Sequence, residues 1–235
     1  MSLAAARLAA EGIPGDRESL ISFPGGDTPL GMVEAFTAMV NDGTVDITRT
    51  RYVSLDEWVG LTEKDAGSCG RFNFDNLINK MKVPFLEYHI INGKAPDMNE
   101  ECRRLDGYIV KYGPLDVSVL GIGMNGHLGF NEEGVDFSLN AHVTPLSATT
   151  KSVMGKYFSE SLDLEYGITQ GIAQIMAARK AVLIANGSHK ADILYKAFRG
   201  PVTNAVPASI LQEHPNCYVV ADEKAAAKLR ISKNV

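Results

Sequence analysis

Residues 116–132 read DVSVLGIGMNGHLGFNE, a mostly apolar segment followed by a glycine-rich one. Residues 116–120 are mostly apolar and are predicted to form a buried strand. A glycine-rich segment follows from Gly121 without a break, as expected where a strand runs directly into a loop. In open α/β sheets, ligands bind outside the carboxyl ends of the strands. The loops that follow strands are therefore the places where a binding site is expected.

On both sides of this stretch, short apolar strands alternate with helical segments. This alternation predicts an α/β fold with an open, doubly wound, mostly parallel sheet flanked by helices, of the Rossmann-like kind. The predicted strands are residues 19–23, 51–55, 116–120, 181–185 and 217–220. The predicted helices are residues 4–11, 28–41, 72–81, 99–112, 169–178, 188–198, 207–213 and 222–229.

The composition limits the classes of protein to which the chain can belong. With 235 residues, 45% of them hydrophobic, the sequence predicts a single α/β domain over residues 1–235. The net charge of −5, with both signs mixed, argues against a nucleic-acid partner and against a membrane surface. Three widely spaced cysteines fit a reducing, cytoplasmic setting and form no metal-binding pair. The oligomeric state stays open, and a homo-oligomer is compatible with the sequence.

The first predicted strand leads into the loop SFPGGDTP, residues 22–29. Glycines let backbone N–H groups approach an anion closely, and a helix N-terminus adds partial positive charge. Gly25, Gly26 and Thr28 are therefore candidates for a phosphate cradle, and Thr28 could also cap the helix. An ordinary tight turn explains the same pattern. Asp27 argues against an anion site unless its side chain points away.

Two further loops carry titratable side chains. Asp56 and Glu57 follow the second predicted strand, where a carboxylate is either a general base or part of a solvated loop. His127 lies among four glycines, where an imidazole could transfer protons near neutral pH. Asn125 or Glu132 could hold its second nitrogen and so fix its tautomer.

The loop after the fourth predicted strand contains Ser188 and Lys190. Ser188 is predicted as the N-cap of the next helix. Lys190 then lies in the first helical turn, where the helix dipole disfavours a cation. A bound phosphate would reverse this cost, whereas an ordinary surface lysine would tolerate it.

Together these loops resemble the glucosamine-6-phosphate and galactosamine-6-phosphate isomerase/deaminase family. The most specific piece is the pattern Gly-x-Gly-x-x-Gly-His-x-x-Phe-Asn-Glu over residues 121–132. Supporting pieces are TPLG at 28–31, DEWVGL at 56–61, GSHKA at 187–191 and PASILQ at 207–212. The resemblance runs from about residue 19 to residue 222, nearly the whole chain.

The resemblance implies a role for each matching residue. Asp56 would move the proton between C2 and C1 of the opened amino sugar, and His127, oriented by Glu132, would open the pyranose ring. Lys190 and the loop from Gly25 to Thr28 would hold the 6-phosphate of the sugar. The resemblance implies neither a cofactor nor a metal, because no step of this chemistry requires one.

Several positions depart from the family pattern. Asn125 stands where glucosamine-type relatives have Asp, and both NGHLG at 125–129 and LDEW at 55–58 resemble the galactosamine-6-phosphate branch. Lys156 replaces an arginine that reaches the substrate in many relatives; a lysine keeps the charge but loses the bidentate geometry. The loop PGGD at 24–27 stands where relatives usually show Ala-Thr-Gly-Ser.

The expected activity is therefore conversion of galactosamine 6-phosphate to tagatose 6-phosphate and ammonia. Three alternatives stay open. The first is a glucosamine-6-phosphate deaminase that gives fructose 6-phosphate, and the second is a 6-phosphogluconolactonase, a relative with the same fold. The third is a catalytically weak sugar-phosphate-sensing domain.

Overall fold

A computed structural model of the chain describes residues 1–158 and 162–229. Its central sheet contains six strands, and every neighbouring pair among them is parallel. With strands numbered along the chain, these are β1 (Ser19–Ser22), β2 (Thr50–Val53), β4 (Glu87–His89), β5 (Val117–Gly121), β8 (Ala181–Ala185) and β9 (Cys217–Ala221). The order across the sheet is β4-β2-β1-β5-β8-β9.

Helices cover both faces of this sheet. Successive strand residues point to opposite faces, so Val119 packs with Ala5 and Phe36, whereas Leu120 packs with Ile175 and Leu194. The predicted doubly wound fold is thus confirmed. The helices are α1 (Ser2–Glu11), α2 (Asp27–Asn41), α3 (Cys69–Asn76), α4 (Met98–Tyr112), α5 (Ala148–Met154), α6 (Ile172–Met176) and α7 (Ala191–Arg199).

The chain changes direction in the middle of the sheet. From β1 it proceeds outward through β2 to β4, and it then returns to place β5 on the other side of β1. The loops that follow β1 and β5 therefore run to opposite faces. Such a switch point opens a crevice outside the carboxyl ends of the two strands.

A second, smaller sheet was not predicted. It contains β3 (Asp56–Trp58), β6 (His142–Pro145) and β7 (Tyr166–Thr169) in the antiparallel order β3-β7-β6. Residues 56 and 57 were expected in a loop, but they form the start of β3, where Asp56 pairs with Thr169. The predicted helix over 169–178 was wrong at its start, because Thr169 ends β7 and the helix begins only at Ile172.

Several predicted helices differ in extent or type. Helix α3 begins three residues earlier than predicted, because the Ser68 hydroxyl caps it by accepting from the Arg71 N–H at 2.9 Å. Shorter 3₁₀ turns replace α-helix at Ile78–Lys80, Ser188–Lys190, Pro207–Glu213 and Ala225–Lys228. Over the two described ranges, no helix has the length and apolar character needed to span a bilayer.

Candidate active site

The crevice at the switch point is where the predicted site residues meet. Its walls are the loop after β1, residues 23–26, the loop after β5, residues 122–132, and the loop after β8, residues 186–190. The Thr28 hydroxyl donates to Asn186 Oδ1 at 2.9 Å, and Lys190 Nζ donates to the Ile122 carbonyl at 2.6 Å. These two bonds join the start of α2 and the second loop to the third loop.

His127 and Glu132 form the centre of the second loop. His127 Nδ1 lies 3.3 Å from Glu132 Oε2, so the carboxylate faces the second ring nitrogen as a tautomer-fixing partner does. A Cβ at Gly123 would lie 2.4 Å from His127 Nε2, so only glycine leaves room for the ring. The other carboxylate oxygen, Oε1, accepts from the Thr150 hydroxyl at 2.5 Å and from the Ser147 N–H at 3.3 Å.

Asn125 is hydrogen-bonded to Glu132 and to the backbone of His127. Its Nδ2 donates to Glu132 Oε2 at 2.7 Å and to the Ser147 hydroxyl at 3.2 Å. Its Oδ1 accepts from the backbone N–H of His127 at 3.3 Å. Of the two partners offered by the sequence, Glu132 is therefore the one that orients the imidazole, and Asn125 holds Glu132.

The surroundings of Glu132 keep its carboxylate ionised. Burial by itself would raise the pKa of Glu132. The hydrogen bond and charge of His127, with hydrogen bonds from Thr150 and Asn125, outweigh burial and lower that pKa to about 2. An anion fixed beside the imidazole stabilises the imidazolium that forms when His127 accepts a proton.

Asp56 lies at the start of β3, beside the loop that carries His127. Burial raises its pKa to about 6, although a hydrogen bond from the Cys69 thiol and the charge of His127 both lower it. A Cβ at Gly129 would lie 3.4 Å from Asp56 Oδ2, so the histidine loop packs closely against this carboxylate. A carboxylate with a pKa near neutral pH is suited to accept a proton from carbon and to return it.

Glu57, the neighbour of Asp56, is fully buried and has a different environment. Its Oε1 accepts from the N–H groups of Trp58 at 2.9 Å and Cys69 at 3.0 Å, and its Oε2 accepts from the Gly70 N–H at 2.7 Å. Glu57 thus fastens the first turn of α3 to β3. The solvated-loop interpretation is wrong for this residue.

The loop after β1 turns at a glycine with positive φ, and the cap of the helix that follows differs from the prediction. Gly26, at φ +99°, is the N-cap of α2 and carries no side chain that could clash. The Thr28 hydroxyl does not cap the helix, because it donates to Asn186 instead. Gly25 packs against α3, where its Cβ would lie 3.7 Å from Cys69 Cα.

Two lysines reach this loop region from different elements. Lys190 is the last residue of the 3₁₀ turn Ser188–Lys190; Gly187 is its N-cap, so the prediction of Ser188 as N-cap was wrong. Burial, together with the charge of Lys156, lowers the pKa of Lys190 to about 8. Lys156, in the turn Gly155–Tyr157, places its Nζ 2.7 Å from Asp27 Oδ2.

Several side chains that support the candidate residues were not predicted. Ser147 caps α5 and Thr150 is its N3 residue, so a capping pattern could have found them, but nothing local connects them to Glu132. Over residues 1–158 and 162–229, no group of three or more His, Cys, Asp or Glu side chains could hold a metal ion. The missed residues are Cys69, Ser147, Thr150, Tyr157 and Asn186.

A family model described as glucosamine-6-phosphate isomerases/6-phosphogluconolactonase matches residues 3–220. The chain belongs to this family. Among its curated relatives is a glucosamine-6-phosphate deaminase of Lachnoclostridium phytofermentans, 39% identical over 86% of each chain. Another is a glucosamine-6-phosphate deaminase of Shouchella clausii, 37% identical over 97% of this chain and 92% of the relative.

Solved structures with the same fold are also found. A monomeric glucosamine-6-phosphate deaminase superposes with a TM-score of 0.90, at 29% identity, over 97% of this chain and 95% of that chain. The 6-phosphogluconolactonase of Thermotoga maritima gives a TM-score of 0.72 at 17% identity, over 94% and 93% of the two chains. At that identity the second likeness extends to the fold alone.

Proposed function

We propose that the chain isomerises and deaminates glucosamine 6-phosphate, giving fructose 6-phosphate and ammonia. The observation that carries the proposal is the pairing, in one crevice, of two separate proton-transfer groups. One is the Asp56 carboxylate, whose pKa is raised to about 6. The other is the His127 imidazole, oriented by Glu132 at 3.3 Å. Ring opening and carbon-to-carbon proton transfer need two such groups in different places.

The reaction begins with ring opening. His127 moves a proton from the anomeric hydroxyl to the ring oxygen, and Glu132 stabilises the transient imidazolium. Asp56 then removes the proton from C2, which carries the amine, and the resulting enolamine takes that proton back at C1. Water adds to the C2 iminium carbon, and ammonia leaves as the C2 carbonyl forms. One water enters and one ammonia departs, so the reaction balances.

At the other end of the crevice, Lys190, Lys156 and the loop from Gly25 to Thr28 hold the 6-phosphate. The phosphate lies far from C1 and C2 along the open-chain sugar, so its binding energy orients the reacting carbons without interfering with proton transfer. The glycine backbone at Gly26 and the N-terminus of α2 supply N–H donors, and the lysines supply charge.

The proposal takes glucosamine 6-phosphate as the substrate, whereas galactosamine 6-phosphate was the substrate expected from the sequence. The preference for galactosamine depended on the stretches NGHLG at 125–129 and LDEW at 55–58. In the first of these, the amide of Asn125 is occupied by Glu132, Ser147 and the His127 N–H. These contacts support a role in holding the catalytic cluster and give no reason for discrimination at C4. The curated relatives named above are glucosamine-6-phosphate deaminases, which favours the glucosamine alternative.

Ammonia release from glucosamine 6-phosphate and from galactosamine 6-phosphate, measured in parallel, tests the proposal. Asp56→Asn is the catalytic variant. Glu100→Gln, which neutralises an exposed carboxylate on α4, is the matched control. We expect faster turnover of the glucosamine substrate, a loss of about 100-fold or more in Asp56→Asn, and normal turnover in the control.

Each other outcome has a distinct meaning. Faster turnover of galactosamine 6-phosphate keeps the reaction and restores the epimer first expected from Asn125. Release of no ammonia from either sugar refutes the deaminase. Hydrolysis of 6-phosphogluconolactone would then identify a lactonase, and binding of glucosamine 6-phosphate without turnover would identify a sensing domain.

A further inference from the structure

Asp27 occupies an unexpected place in the candidate phosphate site. It is the first residue of α2, directly after Gly26, so its carboxylate lies at the helix end where an anion is stabilised. Its Oδ2 lies 2.7 Å from Lys156 Nζ. A side-chain anion is thus paired with a cation that the proposed function assigns to the substrate phosphate.

We propose that Asp27 is an internal counter-ion, which the 6-phosphate of the substrate must displace from Lys156, and that Asp27 thereby sets the affinity of the site for phosphate. The proposal rests on the proposed function for the identity of the phosphate site. The Asp27 carboxylate does not point away from the candidate site, as the sequence analysis required of an anion site, but faces Lys156 and so competes with the phosphate for that lysine.

The exposure of the pair makes displacement feasible. The Asp27 side chain is 75% exposed and the Lys156 side chain 51% exposed, so water solvates both ions and the contact is easily exchanged. By contrast, Lys190 is fixed to the Ile122 carbonyl at 2.6 Å and is mostly withdrawn from solvent. Lys156 is therefore the lysine that is free to change partner.

Tyr157 keeps Lys156 near the loop when its partner changes. Lys156 Nζ lies 4.7 Å from the centroid of the Tyr157 ring, a cation–π distance. The Tyr157 hydroxyl in turn lies over Gly26, where a Cβ would be 3.2 Å from it. The ammonium group is thus held beside the cradle by a contact that does not involve Asp27.

The charges explain why the carboxylate limits affinity. Lys156 and Lys190 bring two positive charges, and their proximity contributes to the lowered pKa of Lys190. Asp27 reduces this repulsion before the substrate binds, and it then repels the incoming phosphate. Replacing Asp27 with a neutral side chain leaves both lysines unneutralised and favours the bound phosphate.

The test measures binding of inorganic phosphate to the whole protein by calorimetry, together with kcat and KM for glucosamine 6-phosphate. We expect Asp27→Asn and Asp27→Ser to bind phosphate about two- to fivefold more tightly and to lower KM by a similar factor. Lys156→Met should weaken binding, and adding Asp27→Asn to it should bring a smaller gain than in the wild-type background.

Glu100→Gln is the matched control, because it also breaks an exposed ion pair, with Arg103 at 2.6 Å, but on α4. Unchanged or weaker phosphate binding in both folded Asp27 variants, as judged by circular dichroism, overturns the proposal. Equal gains with and without Lys156 also overturn it. Since phosphate binding is measured without turnover, an inactive wild type that shows the Asp27 effect would refute only the proposed reaction.

Discussion

The Asp56→Asn variant should be more stable than the wild type, and the gain should depend on pH. Burial raises the pKa of Asp56 from 3.8 to about 6 in the folded protein. At 1.36 kcal/mol per pH unit, this rise corresponds to a loss of about 3 kcal/mol in folding free energy when the carboxylate is fully ionised. Asparagine has nearly the same shape and cannot ionise, so it avoids the cost.

The sign follows from proton linkage. Because the pKa of Asp56 is higher in the folded state than in the unfolded state, the folded protein binds the proton more tightly. Wild-type stability from this group is therefore greatest below about pH 4 and falls as the pH rises to about 6. We expect Asp56→Asn to gain about 1–3 kcal/mol at pH 8 and close to nothing at pH 4.

Urea unfolding at pH 4, 6 and 8 measures the difference. Trp58 is the single tryptophan of the chain and is buried in β3, so its fluorescence reports loss of the structure around the site. Circular dichroism provides a second probe, and Glu100→Gln serves as the control for neutralising an exposed carboxylate. A gain equal at pH 4 and pH 8, or no gain at pH 8, would refute the idea that ionisation of Asp56 destabilises the folded state.

Three further predictions concern other residues of the candidate site. In the wild type, the hydrogen bond from the Cys69 thiol lowers the pKa of Asp56, so Cys69→Ala should move the acidic limb of the kcat/KM profile to higher pH. The ionisation of the substrate is the same for both enzymes, so a limb that does not move would contradict this contact. Inorganic phosphate should bind more weakly as the pH passes about 8, where Lys190 loses its proton, and titration calorimetry of Lys190→Met should show no such transition. Glu132→Gln should lower kcat by about tenfold or more with little change in KM, since His127 loses its anionic partner. A rise in KM as large as the fall in kcat, measured by steady-state kinetics, would count against an orienting role.

The main sheet could be predicted because its strands carry a strong local signal. Residues 181–185 are a continuous apolar run and residues 117–121 are mostly apolar, as expected of strands buried on both faces. Edge strand β4, Glu87–His89, was missed because two of its three residues are exposed and no apolar run marks it. The second sheet was missed for a related reason: its strands have three or four residues, and β6 includes Pro145.

In the candidate site too, the residues in one continuous sequence pattern could be predicted, and those brought together by the tertiary fold could not. The glycines around His127 form one continuous pattern, so the loop and its Glu132 partner could be found by reading along the chain. Thr150 reaches Glu132 from α5, eighteen residues further along, and the position depends on how the second sheet folds back. The prediction that Thr28 caps α2 was wrong because its hydroxyl donates to a tertiary partner, Asn186, instead.

Asp56 and Glu57 show why a raised pKa does not by itself identify the base. Burial raises the pKa of both, to about 6 for Asp56 and about 7 for Glu57. Because neighbouring strand residues point to opposite sides, only Asp56 turns toward the crevice. Three backbone N–H groups occupy the oxygens of Glu57, whereas the hydrogen bond to Asp56 is a weak one from a thiol. Under the proposed function, a proton from carbon goes to Asp56, whose oxygens accept fewer hydrogen bonds than those of Glu57.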